Sequence, residues 1–248
     1  MLIPIRRAAI AVLVMALAGC AATTGGRILV DPFPLRLPLA EAGSLEIEGH
    51  IIGQPRVRDG ILYYVTQGGY LTELVVSSRS VLRRYEVDDG SASASASPDT
   101  RVEAGGRVYF GSGDRMFYCL DAATGKTKWK RRLQGAPLHP PIIAGRRVAV
   151  VASNSTLYFL SARGGSILSW EAIPSRVVFE PARAGTSLLV SPAADRLFVF
   201  DLRTGERIGQ HLTSGTLVAG AVWSSPYVIL FEEAPDTGRQ RIVFLRSR

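Results

Sequence analysis

Turn-like tetrads, the first three opening Ala-Gly, recur every forty residues from residue 104 of this 248-residue chain. Ala104-Gly105-Gly106-Arg107, Ala144-Gly145-Arg146-Arg147, Ala184-Gly185-Thr186-Ser187 and Ser224-Ser225-Pro226-Tyr227 each stand before an apolar run. Those runs are VYF (108–110), VAVV (148–151), LLV (188–190) and VILF (228–231). The same period joins Gly125, Gly165 and Gly205, and Leu120, Leu160 and Phe200. It also joins Asp121 to Asp201 and Asp114 to Asn154. Upstream, Asp59-Gly60 before ILYYV (61–65) fits at a spacing near forty-five, which gives five units. A fixed period of this length restricts a chain to folds that stack copies of one supersecondary unit.

Each unit reads as four short strands. In the second they are expected at 99–103, 107–112, 115–121 and 126–133, separated by AGG, GSGD and AATG. Glycine, Asp and Asn clusters between apolar runs mark turns. The third strand is apolar on both faces (MFYCL, LYFL, LFVF), as a sheet sandwiched between two neighbours requires. A hydrophobic share of 47% with 20% charged residues allows such a core. The expected architecture is an all-β propeller of about five four-stranded blades over residues 41–248. The last unit ends at RIVFLRSR (241–248), a third strand with no fourth. Residues 44–48 (SLEIE), after Ala42-Gly43, are expected to supply it beside 241–246, so that an N-terminal strand closes the ring and no sheet edge is left free.

The stretch CLDAATGKTKW (119–129) carries the densest pattern. Asp121 opens a hairpin turn by accepting backbone N–H bonds, and Gly125 closes it at positive φ, as in a type I turn with a G1 bulge. Trp129 then falls in the fourth strand, where its ring can fill the wedge between blades. The stretch resembles the A-x-D-x-x-T-G-x-x-x-W tryptophan-docking motif of quinoprotein-type (PQQ-like) propellers, with Cys119 in place of the first Ala. Asp121, Thr124, Gly125 and Trp129 match it. Residues 159–169 form a degenerate copy that keeps Gly165 and shifts its tryptophan to Trp170. Residues 199–209 form another that keeps Asp201, Thr204 and Gly205.

The N-terminus reads as a targeting segment. Arg6-Arg7 precede the apolar run AAIAVLVMALA (8–18), which is too short to span a bilayer. Leu17-Ala18-Gly19-Cys20 resembles the lipobox of bacterial lipoproteins. The resemblance implies a signal peptide over 1–19, acylation of Cys20, and a lipid-anchored tether over 20–40. Ala21-Ala22 after the cysteine implies the outer membrane, with the protein facing the periplasm. Lipobox and propeller together resemble the propeller-lipoprotein family of the outer-membrane β-barrel assembly machinery. That resemblance implies a non-enzymatic scaffold for envelope proteins that holds its membrane through the lipid. Members of that family carry more blades than the five counted here, so no docking residues are carried over.

Other chemistry is sparse. The formal charge is +8, or +6 without Arg6 and Arg7 of the leader; that mild excess suits an anionic surface or acidic protein and is too weak to argue for nucleic acid. If Cys20 is lipidated, Cys119 has no disulfide partner, and its repeat position alongside Phe159 and Val199 makes it a small buried apolar residue. His50, His139 and His211 lack ligand spacing and read as surface or rim residues. No cofactor or metal is expected. The alternative is a ligand-binding or PQQ-dependent periplasmic propeller. By resemblance such enzymes use calcium, an Asp base and adjacent cysteines, and no two cysteines adjoin here. In KTKWKRRL (126–133), alternation puts Lys126, Lys128, Lys130 and Arg132 on one face. They either guard an outer sheet edge against aggregation or meet an anionic partner. SASASASP (91–98) is either an inner strand or a flexible interblade loop.

Overall fold

A computed structural model describes residues 35–67, 70–86 and 102–247. Cys20 and the Ser/Ala stretch 91–98 lie outside the described residues. Among those described there is no helix, and the strands form five antiparallel sheets. Blade I holds β2 (Ile51–Arg58), β3 (Ile61–Thr66), β4 (Tyr70–Val75) and β5 (Ser80–Glu86). Blade II holds β6 (Val102–Ala104), β7 (Arg107–Gly111), β8 (Met116–Asp121) and β9 (Thr127–Arg132). Blade III holds β10 (Ile142–Ala144), β11 (Arg147–Val151), β12 (Thr156–Ser161) and β13 (Ile167–Ala172). Blade IV holds β14 (Ala182–Ala184), β15 (Ser187–Val190), β16 (Arg196–Asp201) and β17 (Arg207–Leu212). Blade V holds β18 (Thr216–Leu217), β19 (Val222–Ser224), β20 (Tyr227–Glu233) and β21 (Gln240–Ser247), with β1 (Leu39–Glu46) paired antiparallel to β21.

The blades bury each other's faces. In β12, Leu157 and Phe159 pack toward blade IV, while Tyr158 and Leu160 pack toward blade II. In β20, Val228 and Leu230 face blade IV, and Ile229 and Phe231 face blade I. Period-two alternation along a strand thus serves two interfaces at once, and each buried Leu or Phe contributes about 1.5–3 kcal/mol. Four apolar clusters among the described residues couple blades II–III, III–IV, IV–V and V–I. The first strands of blades I, III, IV and V converge on one axial cavity of about 300 Å³.

The hairpin between third and fourth strands repeats as a physical object. Gly125, Gly165 and Gly205 adopt φ of 69°, 70° and 77°. Their N–H groups donate to the carbonyls of Asp121, Ser161 and Asp201 at 2.9, 2.8 and 2.7 Å. The strand register shifts by one residue just before each turn. That is the bulge expected when a type I turn ends in a left-handed residue.

The wedge between blades is filled differently in each copy. Trp129, 9% exposed, lies against Gly165 of blade III, where an added Cβ would stand 2.7 Å from indole Cδ2. One repeat later Ser169 takes that position, against Gly205, and its Oγ would lie 2.7 Å from a Cβ there. Trp170 does not substitute for it: it is 63% exposed. One repeat further on is Gly209, and the space is taken by Leu37, whose Cδ1 would lie 2.6 Å from a Cβ on that glycine. Leu35 and Leu39 are buried in the same blade IV–V cluster. The chain therefore joins the propeller by Leu35, earlier than the expected start at residue 41, because blade IV lacks a side chain of its own to fill this wedge. For the same reason β1 starts at Leu39 rather than residue 44. It runs through Gly43 at a bulge, so Ala42-Gly43 lie within the strand rather than before it. Ser44, Leu45 and Glu46 pair with Val243, Ile242 and Arg241.

Two comparisons test this account. Gly125→Ala meets open space and only the left-handed backbone penalty of about 1–2 kcal/mol. Gly165→Ala meets the same penalty plus the indole, and should lose about 1–3 kcal/mol more in urea unfolding. Trp129→Ala should lose about 3–5 kcal/mol, whereas Trp170→Ala should stay within about 0.5 kcal/mol of the parent by the same measurement.

Candidate functional site

The residues singled out by the motif are spent inside the fold. Asp121 Oδ1 accepts the Thr124 N–H and hydroxyl, both at 2.9 Å, and its Oδ2 pairs with Lys128 at 2.9 Å. Lys128 beside it, with the two Thr124 donors, holds the Asp121 carboxyl well below the usual carboxylate range. Thr124 Oγ1 also accepts the Lys126 N–H at 3.4 Å. Asp201 repeats the pattern. Its Oδ1 accepts the N–H of Arg203 and of Thr204 at 2.6 and 3.3 Å, and its Oδ2 pairs with the Arg203 guanidinium at 3.1 Å. Partial burial pushes the Asp201 pKa up, but the Arg203 guanidinium and these N–H donors outweigh it, and the net shift is down. Thr204 Oγ1 accepts the Glu206 N–H at 3.2 Å. Gly165 and Gly205 receive the neighbouring blade as described above.

Trp129 adds a polar lock to its packing: Nε1 donates to the Ala162 carbonyl at 3.1 Å, and Arg131 Nε donates to the Gly165 carbonyl at 2.7 Å. Tyr109 and Phe117 surround the indole, with ring centroids 6.0 and 6.1 Å away. In the cationic stripe Lys126, Lys130 and Arg132 are exposed, and Lys128 is held by Asp121. Cys119 is fully buried beneath this array, and burial pushes its thiol pKa up.

The histidines separate. His50 is exposed and His211 is half-buried, with burial lowering its pKa against Glu232 and Glu41. His139 is not the rim residue the sequence suggested. It is 9% exposed, its Nε2 has no hydrogen-bond partner among the described residues, and burial, opposed by Glu180, holds the ring toward the neutral form. The reason is its repeat position, shared with Phe179 and Ala219, which pack into the blade IV–V and V–I clusters. Among the described residues, no group of three His, Cys, Asp or Glu is placed to hold a metal.

Two groupings were not found from the sequence. At the axis, Arg56 of blade I forms a forked ion pair with Glu180 of blade IV, at 3.1 and 2.8 Å. Gln54 exchanges hydrogen bonds of 3.2 Å with both backbone groups of Gly220. The available signal was that Pro140, Glu180 and Gly220 share one repeat position. At the end of the propeller that carries the motif turns, arginines cross from blade to blade. Arg107 Nη1 donates to the carbonyls of Ala162 and Arg163 at 2.8 and 3.2 Å, and Arg147 Nε donates to the carbonyl of Arg203. Arg107 and Arg147 stand forty apart, as do Arg163 and Arg203, so this latch also carries the period.

Comparison with known proteins bears on the family. No curated protein sequence matches the chain significantly. Among solved structures, the chain is similar to the crystal structure of BamB from Moraxella catarrhalis. Identity is 17% over 82% of this chain and 66% of that one, with a TM-score of 0.47. It is also similar to the computationally designed Ika8 protein, at 15% identity over 77% of this chain and 57% of that one, with a TM-score of 0.48. In both comparisons this chain spans less than two thirds of the other's length. A family model described as outer membrane protein assembly factor BamB matches residues 78–226, which run from blade I into blade V and include the turn copies at 119–129, 159–169 and 199–209. On that match, over more than half its length, the chain belongs to the family described as outer membrane protein assembly factor BamB.

Proposed function

We propose that the protein is a non-enzymatic scaffold, anchored by lipid on Cys20 to the outer membrane and facing the periplasm, which binds envelope proteins during β-barrel assembly. The family match over residues 78–226 carries this reading. It is supported by the use of Asp121 and Asp201 as turn residues, so that neither carboxylate is left to act as a base on a bound substrate. A propeller of this kind offers clefts and hairpin ends as contact surfaces, and its mutually buried blades keep those surfaces in fixed relation.

The lipid anchor is tested by fractionation. Cys20→Ala should move the protein from the membrane to the soluble fraction, and membrane retention of the variant would contradict anchoring through that residue. The scaffold role is tested by mild crosslinking and affinity purification from cells. Recovery of outer-membrane assembly components above an untagged background is expected, and recovery of no envelope protein would count against the role. Unchanged absorbance after incubation with PQQ and calcium, and no dye-linked dehydrogenase activity, are expected from the same preparation. A bound quinone spectrum would favour the enzymatic alternative.

A further inference from the structure

Two clefts adjoin at the end of the propeller that carries the motif turns. The first, about 540 Å³, lies between blades II and III and is lined by Arg107, Arg146, Arg163 and Arg183, with Tyr109 and Ile143. The second, about 480 Å³, lies between blades III and IV and is lined by Arg146, Arg147, Arg183 and Arg203, with Leu168 and Leu202. Gly145, Arg146 and Arg183 belong to both, so the two form one continuous track. Six arginines line it, and no Asp or Glu is among its lining residues.

The arginines are held in place. Arg107 and Arg147 reach the next blade's turn carbonyls, as described above. Arg183 bonds the carbonyls of Gly185 and Ile143 at 2.9 and 3.3 Å. Arg203 is the one partly neutralised, by Asp201 behind it. Each bond uses only part of a guanidinium, which has five N–H donors in a rigid fork. The remaining donors face a track whose charge is uncompensated, and a fork already fixed to backbone loses less freedom when it binds an anion. Arg146 and Arg163 are exposed, with no ion pair among the described residues.

We propose that this track binds an extended acidic segment of a partner protein, with its carboxylates on the arginines and its apolar side chains against Ile143 and Leu168. The shape favours a peptide over a membrane surface. Arg146, Arg163, Arg183 and Arg203 stand exposed along the rim, while Arg107 and Arg147 are half-buried between the blades, over the buried Tyr109 and Leu202. Clefts of about 540 and 480 Å³ below that rim admit a strand-like chain, which a flat layer of headgroups cannot follow. Alternating side chains of an extended segment suit alternating charged and apolar contacts along a groove. The proposal gives the scaffold reading a surface and a partner chemistry, and it is tested on purified protein alone. Failure here leaves the scaffold reading standing, and failure of the cellular crosslinking leaves this result standing.

The probe is a fluorescein-labelled ten-residue peptide alternating glutamate and valine, followed by anisotropy at low salt, with a glutamine-for-glutamate peptide as control. The glutamate peptide should bind at least about tenfold more tightly than the control, and its affinity should fall as salt is raised. The double variant Arg146→Glu/Arg163→Glu reverses two arginines that form none of the interblade side-chain latches. It should keep the parent's melting temperature and lose about tenfold or more in affinity. Lys130→Glu/Arg132→Glu, on the outer strand of blade II, makes the same change in net charge and should leave the affinity within about twofold. Equal binding of the two peptides would overturn the proposal. So would an equal loss from both double variants, which would mean attraction by net charge only. Vesicles of phosphatidylglycerol and phosphatidylethanolamine should bind the parent and the Arg146→Glu/Arg163→Glu variant alike. Loss of vesicle binding in that variant, with no preference between the peptides, would assign the track to lipid and overturn the peptide assignment.

Discussion

The structure depends on how the outer strand and turn of one blade meet the next. At the blade II–III seam this contact is most complete. The Trp129 indole lies on Gly165 and donates to the Ala162 carbonyl, while Arg131 and Arg107 take the carbonyls of Gly165, Ala162 and Arg163. These are backbone acceptors of a hairpin turn that would otherwise need water. A propeller must satisfy such groups at every seam, because the hairpin ends of each blade leave backbone carbonyls without a partner in their own sheet. Satisfying them from the neighbouring blade makes polar satisfaction and interblade packing one event.

The seams then differ by volume. Blade II contributes an indole, blade III a serine, and blade IV a glycine whose gap is filled by Leu37 from the N-terminal segment. The loss of bulk along the series is met by material from elsewhere in the chain, as close packing demands. It also explains why β1 sits where it does. Leu35 and Leu37, just before it, and its first residue Leu39 enter the blade IV–V core before the strand pairs with β21 in blade V. The N-terminal segment thus repairs one seam and completes one sheet in a single pass.

The same geometry concentrates charge. Because the first-to-second and third-to-fourth hairpins emerge at one end, arginines at the start of second strands and within third-to-fourth turns come together from neighbouring blades. The acidic groups near them are turned inward. Asp121 and Asp201 close their own hairpins, and Glu180 is taken up by Arg56 at the axis. A mild excess of positive charge in the sequence becomes a local track because the negative partners serve the backbone.

What the sequence determined by itself was local and periodic. The Asp-to-Gly hairpin is fixed by short-range terms: a carboxylate within reach of two N–H groups, and a glycine able to take positive φ. Four of the five units could be read from forty-residue spacing alone, and the expected two-faced burial of the third strand holds in β12 and β16, whereas β8 buries only Phe117 and Cys119 on one face. What only the tertiary structure decided depends on which distant groups share a seam. Trp170 looked like a displaced docking residue and is exposed, because Ser169 holds the inward register. Residues near 40 looked like a tether and are core, because a glycine at 209 leaves room for them. His139 looked like a rim residue and is buried, because its repeat position falls in the packing between blades. Arg107, Arg146, Arg163 and Arg183, far apart in sequence, line one cleft. Turn chemistry is settled within a few bonds of chain, whereas filling a wedge or gathering charge is settled by volume and field between segments that the sequence keeps far apart.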